Sequence, residues 1–218
     1  MGLEVSYFLN VSEGVETMRL AVLASGYGSN LQAIINGVKS GAIDGQVVVV
    51  ISDQENAFAL KRAREEGIEA LFLDPGVFAG REAYEREIVA KLQKQQVELV
   101  VLAGFMRLLS PYFIKAFSGR IMNIHPSLLP AFPGLDGVKQ ALAYGVKVSG
   151  CTVHFVDAGL DTGAVILQEA VNVYDSDTEE TLQQRIHKVE HRLYPRAVQL
   201  FIKGKLHLEG RRCLVNES

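Results

Sequence analysis

The chain has 218 residues and a formal net charge of −3, with acidic and basic residues mixed along its length. That length suits one large α/β domain, able to bury a full core without disulfide staples. The charge offers no basic block to grip a phosphate backbone, which argues against a nucleic-acid partner. No apolar run approaches the roughly 20 residues of a membrane span, and the first residues lack a positive region followed by an apolar stretch. The expected setting is therefore cytoplasmic. Cys151 and Cys213 form no CxxC pair, so neither a zinc knuckle nor a redox motif is expected.

Residues 1–17 are weakly patterned and read as an N-terminal extension; residues 18–218 read as a single domain. Short β-branched or Leu-rich runs at 19–24, 47–51, 70–73 and 97–103 predict strands buried on both faces, the mark of a parallel sheet. Between them, 31–38, 57–66 and 83–95 carry apolar residues at helical spacing, as with Tyr84, Ile88 and Leu92. The alternation predicts βαβ units in a doubly wound sheet.

The second half changes style. A strand at 121–124 leads into a loop punctuated by Pro126, Pro130, Pro133 and Gly134. Two longer strands, 149–156 and 164–173, flank a Gly- and Asp-rich joint and predict an antiparallel hairpin. Ser176-x-x-Glu179 has the spacing of a capping box and predicts the start of the last helix. That helix carries Leu182, Ile186, Val189, Leu193 and Ala197 on one face, and Pro195 is expected to kink it or end its first part. A short hairpin around Gly210 closes the chain. The fold class is α/β, a doubly wound, mostly parallel sheet with an antiparallel hairpin addition in the C-terminal half, and its ligands belong at the carboxyl ends of the strands.

Ser25-Gly26-Tyr27-Gly28-Ser29-Asn30 follows the first strand and opens the first helix. Free backbone N–H groups, a partial positive charge and glycines that admit close approach make such a turn a phosphate site. Two alternatives stand beside that reading. Gly26-x-Gly28 begins a dinucleotide pattern, with Asp53 placed to hold a ribose, although Leu31 takes the place of the third glycine. A plain strand-to-helix turn with Ser29 as its cap is the other.

Asn123 and His125 lie on one side of a strand end, where an amide donor and an imidazole can stabilise an oxyanion. Asp157 and Asp161 lie on the Gly-rich joint. Turn formation explains Asp157. Asp161 would meet His125, orienting it and favouring its charged form, if the joint folds over the sheet. His187-x-x-Glu190-His191 matches an inverted zinc-protease motif, but the acids after it are few, Glu209 and Glu217. Glu190 borders the apolar face of its helix and can still reach a site.

Gly26-x-Gly28-Ser29-Asn30, Leu102-Ala103-Gly104-Phe105-Met106-Arg107, Asn123-Ile124-His125-Pro126-Ser127-Leu128-Leu129-Pro130, and Val153-His154-Phe155-Val156 with Asp161-x-Gly163 together resemble the glycinamide ribonucleotide formyltransferases, over residues 18 to about 208. The Asn-Ile-His-Pro block is shared among folate-dependent formyltransferases; the Gly-Ser-Asn loop and the Ala-Gly-Phe-Met-Arg block are more specific to the purine enzyme. Ala164 stands where members often have Pro.

The resemblance implies a Rossmann-like formyltransferase fold, with the nucleotide phosphate site in the N-terminal half and the folate site and catalytic residues mainly in the C-terminal half. It implies transfer of the formyl group of 10-formyltetrahydrofolate, a co-substrate, to the amine of glycinamide ribonucleotide. The catalytic trio is then Asn123, His125 and Asp161, and the phosphate loop Gly28, Ser29 and Asn30. Glu190, Gly104 and Pro126 contact the nucleotide. Met106, Arg107, Leu108, Leu109, Ile121, Val156, Asp157, Ala158 and Asp161 line the folate pocket. Arg107 suits the folate's glutamate carboxylate. No metal is implied. The partners are small molecules, with no nucleic acid and no membrane, and the chain acts as a monomer or homodimer.

Overall fold

A computed structural model describes residues 17–216 of the chain. The N-terminal extension thus lies, all but Thr17, outside the described residues. Five parallel strands come first: β1 (Met18–Leu23), β2 (Gly45–Ser52), β3 (Glu69–Phe72), β4 (Leu99–Leu102) and β5 (Ile121–His125). Between them lie α1 (Ser29–Lys39), α2 (Phe58–Glu65), α3 (Arg81–Lys94) and α4 (Pro111–Ala116). Then follow α5 (Gly137–Tyr144), β6 (Val148–Phe155), β7 (Val165–Asn172), α6 (Glu179–Ile202), β8 (Leu206–Glu209) and β9 (Arg212–Val215).

The main sheet runs β3-β2-β1-β4-β5-β6-β7, and β8 and β9 form a separate hairpin. Strand order reverses between β1 and β4, which opens a crevice at their carboxyl ends. β6 pairs antiparallel with both β5 and β7, so the expected hairpin is welded to the edge of the parallel sheet.

Alternation along each strand feeds both faces of the sheet. Leu20 and Val22 of β1, with Leu99 and Val101 of β4, join the core under α1, α2, α5 and α6. Ala21, Leu23, Val100 and Leu102 join the core under α3 and α4. This is why the strands read as unbroken apolar runs. Cys151 and Cys213 are free thiols, pushed up to about 12 and about 11 by burial.

Three local features differ from the sequence reading. The cap of α6 is Thr178, not Ser176: its Oγ1 accepts from Thr181 N–H (3.3 Å), and Thr181 Oγ1 accepts from Thr178 N–H (3.0 Å). Asp177 explains the shift. Arg185 grips both its oxygens (2.7 and 2.8 Å) and Tyr174 N–H donates to it (2.8 Å), which keeps the chain in a turn until Glu179. Second, α6 runs on through Pro195 to Ile202. Pro195 cannot donate to the His191 carbonyl, but Ala197, Val198 and Phe201 beyond it are buried and hold the last turns against the core. Third, the Pro-rich stretch after β5 leads into α5, and α4 follows β4. Ser110 caps α4 with Pro111 at its first position, a start signal present in the sequence.

Tyr194 of α6 ties the helix layer to the sheet at the crevice. Its buried hydroxyl lies 2.9 Å from the carbonyl oxygens of both Leu102, the last residue of β4, and Met122, the second of β5, and shares its one proton between them. Tyr194→Phe is expected to lower stability by roughly 1–2 kcal/mol, since buried carbonyls lose their donor. Urea unfolding checks this; an unchanged midpoint would mean the hydroxyl contributes nothing.

Candidate active site

The turn after β1 places Gly28 at the N-cap of α1 with φ +73°, a conformation that favours glycine. A Cβ at that position would lie 2.8 Å from the Ala59 Cβ of α2, so close packing as well as conformation demands glycine. The first helical hydrogen bond runs from Gln32 N–H to Gly28 O (3.0 Å). The amides before it have no partner within the helix, an arrangement that suits an anion. The expected Ser29 cap does not form, because Gly28 holds the cap position.

Asn30 also differs in detail from a simple phosphate donor. It is buried; its Nδ2 donates to Glu190 Oε2 (2.9 Å), and its Oδ1 has no hydrogen-bond partner among the described residues. Its Oδ1 is thus an open acceptor, while one of the two Nδ2 hydrogens is committed to Glu190. Glu190, 3% exposed, is pushed above the ordinary carboxylate range by burial, against which the Asn30 bond and the charge of His125 act. The phosphate loop, Glu190 and His125 thus lie within electrostatic reach of one another.

On β5, Met122 and Ile124 turn into the α6 side of the core. Asn123 and His125 share the opposite face, as alternation requires. His125 Nε2 donates to Phe132 O (2.7 Å), which leaves Nδ1 facing Asp161 Oδ2 at 3.5 Å. Asp161 has φ +53°, a left-handed conformation held by its contacts: its Oδ2 also accepts from Gly134 N–H (2.7 Å). Two residues on, Gly163 packs against β6 so closely that a Cβ would lie 1.7 Å from Phe155 O. At the turn of the β8–β9 hairpin, Arg211 donates to Thr162 O (3.2 Å), next to Asp161.

A fourth residue joins this group. His154 stands across from Asn123 in the β5–β6 register. Its Nδ1 donates to Phe155 O (2.8 Å), so Nε2 is the acceptor for Asn123 Nδ2 (3.2 Å); Asp161 Oδ1 lies 3.6 Å away. Burial holds His154 below the ordinary imidazole range, opposed by the Phe155 bond and Asp161, which agrees with a neutral ring. His154 orients the Asn123 amide and leaves its second hydrogen free. In the sequence His154 stands only within the Val153–Val156 motif; the signal for its role is the strand register.

Asp157 is a turn residue, accepting from Gly159 N–H (3.0 Å) and the Thr162 hydroxyl (2.6 Å). Met106 and Leu108 are exposed, while Leu109 and Val156 are half-buried. Ile121 differs from them: its side chain is buried in the core beneath the sheet. Arg107 lies over the Tyr84 ring at 5.4 Å, and its buried Nε has no partner among the described residues. The loop after β4 is tied to the phosphate loop by Ser25 N–H to Gly104 O (3.0 Å) and Met106 N–H to Ser25 Oγ (2.9 Å). Pro126 follows His125 directly.

His187 and His191 stack with ring centroids 5.9 Å apart, and burial lowers both below the ordinary range. Glu190 Oε2 lies 3.9 Å from His187 Nε2, but its hydrogen bond comes from Asn30 (2.9 Å). Glu209 sits exposed on β8, and Glu217 lies outside the described residues. A groove of about 840 Å³ runs between α1 and α6 from Tyr27 and Ser29 to Gln199. A second of about 730 Å³ holds Ser25, Gly26 and Asp53 at the ends of β1 and β2. Among the described residues no helix is long and apolar enough to cross a membrane.

Residues 18–198 match the formyl transferase family. The chain is 46% identical over 191 residues to the phosphoribosylglycinamide formyltransferase of Escherichia coli (strain K12), covering 88% of this chain and 90% of that one. It is 50% identical over 188 residues to the trifunctional purine biosynthetic protein adenosine-3 of Drosophila melanogaster, which takes in 85% of this chain but 14% of that protein's length. The crystal structure of glycinamide ribonucleotide transformylase 1 from Symbiobacterium toebii matches with a TM-score of 0.92 and 52% identity, covering 94% of this chain and 96% of that one.

The raised Glu190 carboxyl has a consequence for stability. An acid whose folded pKa is raised contributes stability that is complete below its ordinary value of 4.5 and is lost as pH climbs through the folded value. Glu190→Gln keeps an acceptor for Asn30 and cannot ionise. Urea unfolding of both proteins at pH 5 and pH 8 is expected to show the variant gaining on the parent at the higher pH. A gap independent of pH would mean Glu190 is not held back from ionising.

Proposed function

The chain belongs to the formyl transferase family, and we propose from its site that it moves the formyl group of 10-formyltetrahydrofolate to the amine of glycinamide ribonucleotide, a step of de novo purine synthesis. The products are formylglycinamide ribonucleotide and tetrahydrofolate. One observation carries the residue assignment: Asn123, His125 and Asp161 converge at the crevice beside the phosphate loop, joined to it through Asn30 and Glu190.

The phosphate meets the backbone amides of Gly28, Ser29 and Asn30 at the positive end of α1. Glu190, Gly104 and Pro126 line the rest of the nucleotide's path. The folate lies along 106–109 and the 156–161 loop, with Ile121 forming the floor from below. Arg107, with its unpartnered Nε, takes the glutamate carboxylate.

The neutral substrate amine attacks the formyl carbon on N10, and the carbonyl oxygen becomes an oxyanion. The second hydrogen of the Asn123 amide and the Nδ1 side of His125 donate to that oxygen. Phe132 O fixes the other His125 nitrogen, so Nδ1 is the working one. The C–N10 bond then breaks; the proton released by the amine leaves through Asp161 and water and ends on N10. The phosphate loop acts by positioning, remote from the reacting amine. None of these steps calls for a metal. Residues 18–218 act as one domain behind the 1–17 extension, in the cytoplasm, as a monomer or homodimer, on small molecules alone.

The direct test is a formyl-transfer assay with both substrates. Formylated nucleotide is the expected product; formate released without the nucleotide acceptor would instead mark a hydrolase. Turnover is expected to persist in a strong chelator, and loss restored by zinc would overturn the metal-free reading. Asp161→Asn is expected to cut kcat by about a hundredfold to a thousandfold, the usual cost of disturbing such stabilisation, with little change in either KM. Combined with His125→Ala, the loss should fall well short of the product of the single losses. Strictly multiplicative losses would return Asp161 to a purely structural part.

A further inference from the structure

Every backbone carbonyl of the Gly26–Gly28 turn is bonded on its own account. Gly26 O accepts from Ala59 N–H (3.1 Å), and Gly28 O from Gln32 N–H (3.0 Å). Tyr27 O has no backbone donor in this arrangement. It accepts instead from the side-chain Nε of Arg62, 3.0 Å away on the last turns of α2. Arg62 is itself held in place. Its Nη1 donates to Gln32 Oε1 (3.0 Å), and its guanidinium covers the rings of Tyr27 and Phe58 at 4.6 and 4.7 Å. Those rings stack face to face, 5.1 Å apart and 7° from parallel.

A peptide unit is planar, so its C=O and the following N–H point in opposite directions. Fixing the Tyr27 carbonyl toward Arg62 of α2 fixes the Gly28 N–H in the opposite direction. Without that bond, the Tyr27–Gly28 peptide borders a glycine and has little steric reason to keep one orientation. We propose that Arg62 is a positioning residue for nucleotide binding: by anchoring Tyr27 O it aims the Gly28 amide at the substrate phosphate. The inference rests on the phosphate-loop assignment above. Arg62 acts here through a neutral geometric constraint, which separates this role from a general gain in positive charge.

Two substitutions divide those roles. Gln carries an N–H donor as far along its side chain as the Arg Nε, so Arg62→Gln keeps the bond to Tyr27 O and removes the charge. Arg62→Met has similar length without donor or charge. Both lose the guanidinium over the rings and the Gln32 bond, so they differ from one another in the donor to Tyr27 O. Arg62→Met is expected to raise the nucleotide KM about tenfold, equivalent to ~1.4 kcal/mol, with kcat and the folate KM unchanged. Arg62→Gln should stay within about threefold of the parent, a difference of under ~1 kcal/mol.

The second readout is the Gly28 amide resonance during titration with inorganic phosphate. It should shift in the parent and in Arg62→Gln, and much less in Arg62→Met. Equal losses in both variants would assign the effect to charge and overturn the proposal, as would no loss in either. A parent protein that formylates no nucleotide would sink the proposed function instead, and the phosphate titration would still decide the role of Arg62.

Discussion

A strand that enters a sheet antiparallel to its neighbour sets residues of the two strands face to face in fixed register. β6 does this to β5, and Asn123 consequently stands across from His154. Because His154 Nδ1 is committed to Phe155 O, its other nitrogen can only accept, and the Asn123 amide is oriented before any substrate arrives. The loop leaving β6 then returns Asp161 to the same place, against His125 and Gly134.

The parallel half contributes the other partner by a different rule. Reversal of strand order between β1 and β4 leaves a crevice, and the helix that opens beside it presents free amides. α6 connects the two halves. It brings Glu190 to Asn30 at one site and Tyr194 to the carbonyls of Leu102 in β4 and Met122 in β5 at another.

Much of this was legible in the sequence because it depends on local pattern. The doubly buried strands, the glycine turn after β1 and the placing of Asn123 with His125 on one side of a strand follow from periodicity and turn chemistry; the return of Asp161 is implied only by the family resemblance. What escaped depends on partners distant in the chain. The role of His154 needs the β5–β6 register. The Asn30 side chain is turned by Glu190, far along the chain, which accepts from its Nδ2 and leaves its Oδ1 open. The α6 cap moved to Thr178 because Arg185 holds Asp177. α5 is short and depends on the burial of Val138 and Ala141 more than on any start signal.

The β8–β9 hairpin lies past residue 198, where the match to the family ends. Its turn nonetheless bonds to Thr162, one residue from Asp161. The loop that carries Asp161 is thus held partly from outside the matched segment, by a hairpin that lies apart from the candidate site. In engineering terms this is a tuning handle: lengthening, shortening or fusing onto the tail changes the mechanical load on the loop while leaving each reacting group in place.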